Sequence, residues 1–311
     1  MNLESKGRKN TITVLLSTYN GEKYLREQLD SVLCQEDVNI TLLIRDDGST
    51  DKTIEIIKEY VSKYNNILFV QGDNCGAAMS FWQLIIDSPQ SDYYAFCDQD
   101  DIWDRDKLKV AIDNLKRYDA HTPGMYYSTA RLVAADGKTE IKRKISDYEK
   151  KVPTFAQLVM ENTAAGCTMV WNAKLNSIAK NIKVSNMRMH DHFLFLICKY
   201  YNGNICLDNT PHINYRQHGE NVIGGQKTLK RNILSVKRYL KEDSGLSEQA
   251  IQLLGLPDNN KICSKNMEFL EQLKDYRHQS LSKRLLIYFE VKQIGLLKNL
   301  CIMGIIILKR F

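Results

Sequence analysis

Between residues 11 and 97 a β-rich apolar run repeatedly ends in a polar turn and gives way to an amphipathic helix. That alternation restricts the chain to one architecture. Thr11–Ser17 reads as a strand that stops at Thr18-Tyr19-Asn20-Gly21, which is turn chemistry. Glu22–Gln35 follows with Tyr24, Leu25, Leu29, Val32 and Leu33 at helical spacing. Ile40–Ile44 is a second buried strand running into Arg45-Asp46-Asp47-Gly48-Ser49-Thr50-Asp51, before a helix over Lys52–Lys63. Ile67–Gln71, a helix over Gly76–Asp87 and the strand Tyr93–Cys97 complete the series. Strands alternating with helices form an α/β fold, a mostly parallel central sheet flanked by helices with right-handed crossovers.

In an open sheet of this kind ligands bind beyond the carboxyl ends of the strands, where all three suggestive turns fall. The third turn, Asp98-Gln99-Asp100-Asp101, packs three carboxylates into four residues. Like charges this close raise one another's pKa, so the cluster predicts a divalent cation or proton sharing. Oxygen ligands suit Mg²⁺ or Mn²⁺, completed by substrate phosphates. The competing reading is a solvated acidic turn, or the N-terminus of a charged helix spanning Asp104–Asp119. No Gly-x-Gly-x-x-Gly and no phosphate-cradling loop ending in Lys and Ser/Thr follows the first strand, which excludes dinucleotide enzymes and P-loop NTPases.

Further along, Gly124–Ala135 reads as a strand pair with a turn near Asp136-Gly137, and Ile141–Val152, polar and basic, as a mobile loop. Phe155–Glu161 and Ala173–Lys180 are helical. Ala165–Trp171 reads as a strand whose small residues would let a substrate approach the backbone. In Met189–Leu196 polar residues precede an apolar helix, so Asp191 fits an N-cap. Ile205–Leu207 and Ile213–Tyr215 are short strands, and the loop carrying Arg216 and His218 suits gripping phosphate or completing a metal shell. The eight cysteines show no short-spaced pair of a zinc or redox motif, and read as reduced, mostly buried thiols. Residues 1–10 lack the apolar core of a signal peptide, which predicts a cytoplasmic protein.

These residues resemble the inverting glycosyltransferases of family 2 with the GT-A fold, in particular the bacterial rhamnosyltransferase-like branch. The resemblance rests on Ser17–Leu25, Asp46–Asp51, Phe96–Trp103, Gly166-Cys167-Thr168, His190-Asp191 and Tyr215–Asn221, in order along Ile12–Gly225. It implies that Thr18, Tyr19, Asn20 and Asp46 or Asp47 hold the nucleobase and ribose of a sugar nucleotide. It likewise implies that Asp98 faces the ribose, that Asp100, with Asp98 and His218, holds Mg²⁺ or Mn²⁺, and that Arg216 or His218 assists at the diphosphate. Asp191 takes the place of the base that deprotonates the acceptor hydroxyl as it attacks the anomeric carbon. His192-Phe193 stands where the branch often has two aromatics, which implies a different acceptor surface. The expected donor is a nucleotide sugar, with dTDP-rhamnose first and UDP-linked galactose, glucose or N-acetylhexosamine as alternatives. The expected acceptor is lipid-linked or an oligosaccharide of a bacterial surface polysaccharide. A nucleotidyltransferase would need a Gly-rich basic loop after the first strand, and a non-catalytic sugar-nucleotide-binding protein would have no use for Asp100 or Asp191.

The resemblance fades beyond Gly225, dividing the chain into a catalytic domain over 1–225 and a basic helical region over 226–311. The net charge of +6 is lodged in the latter, with 16 Lys and Arg against 8 Asp and Glu, whereas residues 1–225 hold 27 against 29. That distribution excludes a nucleic-acid groove in the main body and fits a tail meeting an anionic surface. Leu285–Phe311, drawn as one helix, gathers Lys292, Lys298, Asn299, Lys309 and Arg310 with neighbouring Arg284 into one sector and leaves the rest apolar. Its apolar run, Leu300–Leu308, is too short to span a bilayer, so an interfacial helix on the cytoplasmic membrane is expected, with packing on protein as the alternative.

Overall fold

A computed structural model describes residues 9–142, 150–184, 187–219, 250–256, 262–292 and 296–307. Its centre is a seven-stranded sheet in the order β3-β2-β1-β4-β8-β6-β9. The strands are β1 (Asn10–Thr18), β2 (Val38–Asp46), β3 (Ile67–Gln71), β4 (Tyr93–Cys97), β6 (Gly124–Ser128), β8 (Val170–Asn172) and β9 (Asn204–Asp208). β1 pairs in parallel with both β2 and β4, so the chain runs outward from β1 in both directions. This is the switch point at which an α/β sheet opens a crevice. The crossover helices α1 (Leu25–Leu33), α2 (Thr53–Lys63) and α3 (Ala77–Asp87) bury the stripes their spacing predicts. β8 runs antiparallel between β4 and β6, making the sheet mostly rather than wholly parallel.

Three expectations are corrected. The acidic turn does not lead directly into a helix: Ile102–Trp103 is a strand, β5, and α4 covers only Lys107–Leu115. Asp104 is drawn away from the helix, its N–H donating to the His212 carbonyl (3.1 Å) and its carboxylate pairing with Arg131. The strand pair in 124–135 separates into β6 of the large sheet and β7 (Arg131–Val133), which joins a second sheet in the order β5-β10-β7, β10 being Ile213–Arg216. Thr129 marks the exchange, its N–H donating to Asp208 O at the end of β9 (3.0 Å). Over Gly166–Thr168 the backbone makes a 3₁₀ turn instead of a strand, because the Thr168 hydroxyl and N–H both donate back to Ala165 O (2.7 and 2.9 Å). Most of the loop expected over 141–152 lies outside the described residues, as do Glu220 and Asn221.

The remaining helices are α5 (Phe155–Met160), α6 (Ala173–Lys180), α7 (His190–Tyr200), α8 (Ser264–Lys274), α9 (Leu281–Val291) and α10 (Leu296–Ile307). Every described residue of α7 except Lys199 is buried, which explains its lack of an amphipathic stripe. The carboxy-terminal helix is not continuous: α9 stops at Lys292, whose backbone turns extended. Nor does Arg284 belong to a polar face. It is buried, and its Nη1 donates to the Ile306 and Ile307 carbonyls (2.8 and 3.0 Å), tying α9 to the end of α10. Ile287, Val291, Ile302 and Ile306 join the core built around Trp82 and Trp171. Of the seven described cysteines only Cys97, Cys167 and Cys198 are buried, whereas Cys34 and Cys75 are exposed. Among the described residues, no helix is long and apolar enough to cross a membrane.

Candidate active site

Register alone brings the three turns together, since Thr18 pairs with Asp46 and Leu16 with Cys97, the last residue of β4. Asp46 is fully buried and its acceptors are engaged within the protein. Oδ1 takes the Thr18 and Ser49 hydroxyls (2.9 and 2.5 Å), and Oδ2 takes the Gly48 and Ser49 N–H groups (3.2 and 2.8 Å). Asp46 and Thr18 therefore shape the turn. Asp47 faces the other way, accepting from the Arg45 guanidinium and from the N–H groups of Cys75 (3.1 Å) and Gly76 (2.9 Å). Burial alone would raise its pKa, but the Arg45 and Cys75 bonds outweigh it and hold the carboxyl below its ordinary value. Asn20, at φ 47°, uses its side-chain oxygen on the Thr50 N–H (2.9 Å), joining the first two turns. Only Tyr19, 49% exposed, presents a large free surface there. Its backbone is clamped by Gln99, through Tyr19 N–H to Oε1 (2.9 Å) and Nε2 to Tyr19 O (3.0 Å).

The acidic turn bridges the two sheets, leaving β4 at Cys97 and entering β5 at Ile102. Because β10 runs antiparallel to β5, with Ile213 opposite Trp103, its register carried onward sets Arg216 beside Asp100. Arg216 is 2% exposed. Its N–H donates to Asp101 Oδ1 (3.1 Å), Nε to Asp100 O (2.8 Å), Nη1 to Ala135 O (2.7 Å) and Nη2 to Glu27. Expected as a phosphate grip, it is a buried clamp on the acidic turn, with its guanidinium 4.5 Å from the Tyr24 ring. His218 approaches from the same strand end, its Nε2 2.7 Å from Asp100 Oδ2 and its ring 4.9 Å from Tyr24. One residue is thus held twice, Asp100 by its carbonyl and by its carboxylate.

Asp98 and Asp101 are both raised in pKa, first by burial and then by like charge, from Asp100 and Asp191 on Asp98 and from Asp100 and Asp98 on Asp101. Asp101 Oδ2 is buried with no hydrogen-bond partner among the described residues. An ionised carboxylate oxygen left in that state is costly, and the raised pKa of Asp101 answers the cost by favouring its protonated form. Asp100 and His218 stand one hydrogen bond apart at the rim, and the ligand atoms of Asp98, Asp101 and Cys167 lie within 4.8 Å of one another, a grouping that leaves out Asp100 and His218.

Asp191 belongs to the first turn of α7, with Met189 in the N-cap position it was expected to take. Its Oδ1 accepts the His192 N–H (2.6 Å) and its Oδ2 the Gly166 N–H (3.1 Å). Burial pushes its pKa up to about 6 against those two bonds. Gly166 could not be larger without disturbance, since a Cβ there would stand 3.2 Å from Asp191 Cβ and 3.1 Å from His190 Nε2. The small residues of this segment admit Asp191 and His190, which is the close approach assigned beforehand to a substrate. His190 stacks on Phe81 at 4.1 Å and its pKa is pushed down to about 3 by burial, so it is neutral.

Sequence reasoning gave no site role to Glu27, Tyr24, Cys167 or Lys107, although Tyr24 and Cys167 stand inside segments that carry the resemblance. Lys107 had a readable signal, because it stands four residues before Ala111 and eight before Leu115 on the buried stripe of α4. A lysine on an apolar stripe needs a partner. The other three are brought in by tertiary contact alone.

The sequence profile of Glycosyl transferase family 2 matches residues 13–171. The chain is 33% identical over 226 residues to dTDP-rhamnosyl transferase RfbG of Shigella flexneri, covering 69% of this chain and 75% of that protein. Among solved structures, S. aureus TarS in complex with UDP-GlcNAc superposes with a TM-score of 0.56 at 15% identity, covering 97% of this chain and 93% of TarS. The mannosyltransferase PcManGT from Pyrobaculum calidifontis, in complex with GDP-Man and Mn²⁺, gives 0.54 at 14% identity, covering 92% and 73% of the two chains. At those identities the two structures share the fold with this chain.

Proposed function

The chain belongs to glycosyl transferase family 2, and from that premise we propose that it moves a sugar from a nucleotide sugar to an acceptor hydroxyl with inversion, Asp191 acting as base. The observation that carries this reading is Asp191 itself. A carboxylate buried in a helix's first turn, held by two N–H donors, with a pKa near 6, is ionised at neutral pH yet basic enough to take a proton. Its charge also acts on Asp98, just beyond the end of β4, raising the Asp98 pKa after burial and Asp100. We assign the donor's nucleoside to the β1 and β2 turns, where exposed Tyr19 is the stacking surface and Thr18, Asn20, Asp46 and Asp47 fix the loop shape. Asp100, His218 and Asp98 would hold a divalent cation, Mg²⁺ or Mn²⁺, which when bound supplies charge neutralisation at the departing diphosphate. Arg216 holds Asp100 in place for that task. The Asp98 carboxylate is assigned to the ribose.

dTDP-rhamnose is the first donor to test, on the similarity to the Shigella flexneri transferase, with UDP-sugars as the second reading on the likeness to TarS. The proposed acceptor is a lipid-linked or oligosaccharide intermediate of a bacterial surface polysaccharide. A thermal-shift screen of dTDP-rhamnose, UDP-galactose, UDP-glucose, UDP-GlcNAc and GDP-mannose with Mn²⁺ or Mg²⁺ tests this. One donor should raise the Tm by several degrees only when the cation is present, since binding at 100 times Kd stabilises by about 2.7 kcal/mol. A flat response to all five donors refutes the assignment.

Residues 1–225 we regard as the catalytic unit and 226–311 as a region serving membrane contact. The face that supports this is on α9, where Leu286 and Phe289 are 65% and 61% exposed and Lys283 and Lys292 are exposed beside them. Large apolar side chains flanked by lysines suit an anionic lipid surface, which supports the reading of an enzyme working at the inner face of the cytoplasmic membrane. The double change Leu286→Glu and Phe289→Glu should lower co-sedimentation with phosphatidylglycerol vesicles at least tenfold, with transfer to a soluble acceptor retained. Undiminished sedimentation removes α9 from the membrane.

A further inference from the structure

The loop after β1 is tied down through three consecutive amides. The Tyr19 N–H donates to Gln99 Oε1 (2.9 Å), the Asn20 N–H to Ser49 Oγ (2.9 Å) and the Gly21 N–H to Thr53 Oγ1 (2.8 Å). Ser49 follows β2 and Thr53 opens α2, so these two hold the loop on one side. Gln99 holds it on the other, from the middle of the acidic turn, and does so twice, because its Nε2 also donates to Tyr19 O (3.0 Å). A side-chain amide carries one acceptor and a donor group, so it can pair with both backbone groups of a single residue as a neighbouring strand would. It does this where the ladder has run out: β1 and β4 are last paired at Leu16 and Cys97, three residues before Tyr19 and two before Gln99. Gly21 measures how closely the amide fits. A Cβ there would stand 2.3 Å from Gln99 Oε1 and 2.6 Å from its Cδ, so the amide has room only because residue 21 has no side chain.

The two pieces that Gln99 joins have different work under the function proposed above, on which this inference rests. Tyr19, 49% exposed, is the stacking surface for the nucleoside, and the acidic turn is the diphosphate end of the site. We propose that Gln99 is a positioning residue that sets the spacing between the two, so that a nucleoside diphosphate meets both halves of its site already in register. Gln99 itself touches neither base nor phosphate. Its contribution is preorganisation: without it, loop and turn must be brought into register as the nucleotide binds, and fixing the backbone of even one residue costs on the order of tenfold in an equilibrium constant. A nucleoside without phosphates does not draw on that spacing, since Ser49 and Thr53 still hold the loop beneath it.

The test is isothermal titration of the full-length protein with uridine, thymidine, UDP and dTDP, each with Mg²⁺ present. Gln99→Met is close to isosteric, removes both bonds and leaves the two exposed backbone groups of Tyr19 to water, so its Tm without ligand should match that of the wild type. It should bind the preferred diphosphate at least about tenfold more weakly, while affinity for the matching nucleoside changes less than about twofold. Gly21→Ala displaces the same amide from the other side and should weaken the diphosphate likewise; in a Gln99→Ala background, where the space is free, it should add less than about twofold. Wild-type diphosphate affinity in Gln99→Met overturns the proposal and leaves the nucleotide reading intact. An equal loss for nucleoside and diphosphate also overturns it, by making Gln99 a support for Tyr19 alone, as does full additivity of Gly21→Ala with Gln99→Ala. A wild type that binds neither UDP nor dTDP refutes the underlying reading and the proposal with it. Should Gln99→Met fail to fold, Gly21→Ala carries the same comparison of nucleoside with diphosphate.

Discussion

Asp191→Asn is expected to lower kcat by about 10²–10⁴-fold, the range a positioned general base supplies, while the donor-induced thermal shift persists. The split matters because asparagine keeps the shape and one acceptor for the Gly166 or His192 N–H, and gives up the second acceptor together with the capacity to take a proton. For the wild type, the acid limb of kcat should lie at or below pH 6, since the folded-state pKa of Asp191 is about 6 and any cation beside Asp98 lowers it. Stability should move the other way. The native state holds this proton more tightly than the unfolded chain, whose carboxyls titrate near 3.8. Acidification below about pH 6, toward 3.8, therefore stabilises the fold at this group while it removes the base. The contribution at neutral pH is a cost of about 2–3 kcal/mol, at roughly 1.4 kcal/mol per pH unit. A pH–rate profile beside a pH–Tm series on the free enzyme tests both signs. Unchanged kcat in Asp191→Asn eliminates the base assignment.

The reason Asp191 escaped a firm sequence reading is that its environment is assembled from distant pieces. An Asp at a helix start is an ordinary cap, and nothing local says that Gly166, 25 residues earlier, donates to it. The large sheet was legible because strand and helix periods are local properties, and β1 to β4 came out within a residue or two of their observed bounds. The failures share a cause. β5 and β7 are two and three residues long and exist only by pairing with β10, so their short runs carry no period of their own, whereas β10 itself was legible to within one residue of its end. Arg216 looked like a phosphate ligand because a loop arginine usually is solvent-facing. Its burial follows from the β5–β10 register, which a sequence does not display. The tail failed through its charges: Arg284 counted as polar surface, whereas it caps the carbonyls at the end of α10.

Asp100→Asn should uncouple stability from function in the opposite place. In the free protein the change removes a charge that raises the pKa of both Asp98 and Asp101, so the Tm without metal should hold or rise. The His218 ring retains an amide partner in place of the carboxylate it now meets at 2.7 Å. With Mn²⁺ at 100 times the wild-type Kd, the wild type should gain about 2.7 kcal/mol, several degrees in Tm, and Asp100→Asn should gain almost none. Transfer should fall by about 10²-fold or more even at saturating cation, because electrostatic stabilisation aimed at developing charge is lost from the diphosphate. Asp98→Asn makes an informative companion. If Asp98 serves the ribose, it should weaken donor affinity more than cation affinity, whereas Asp100→Asn does the reverse. Equal Mn²⁺-induced shifts in wild type and Asp100→Asn would move the cation away from the rim pair and leave Asp100 as a structural partner of His218 and Arg216.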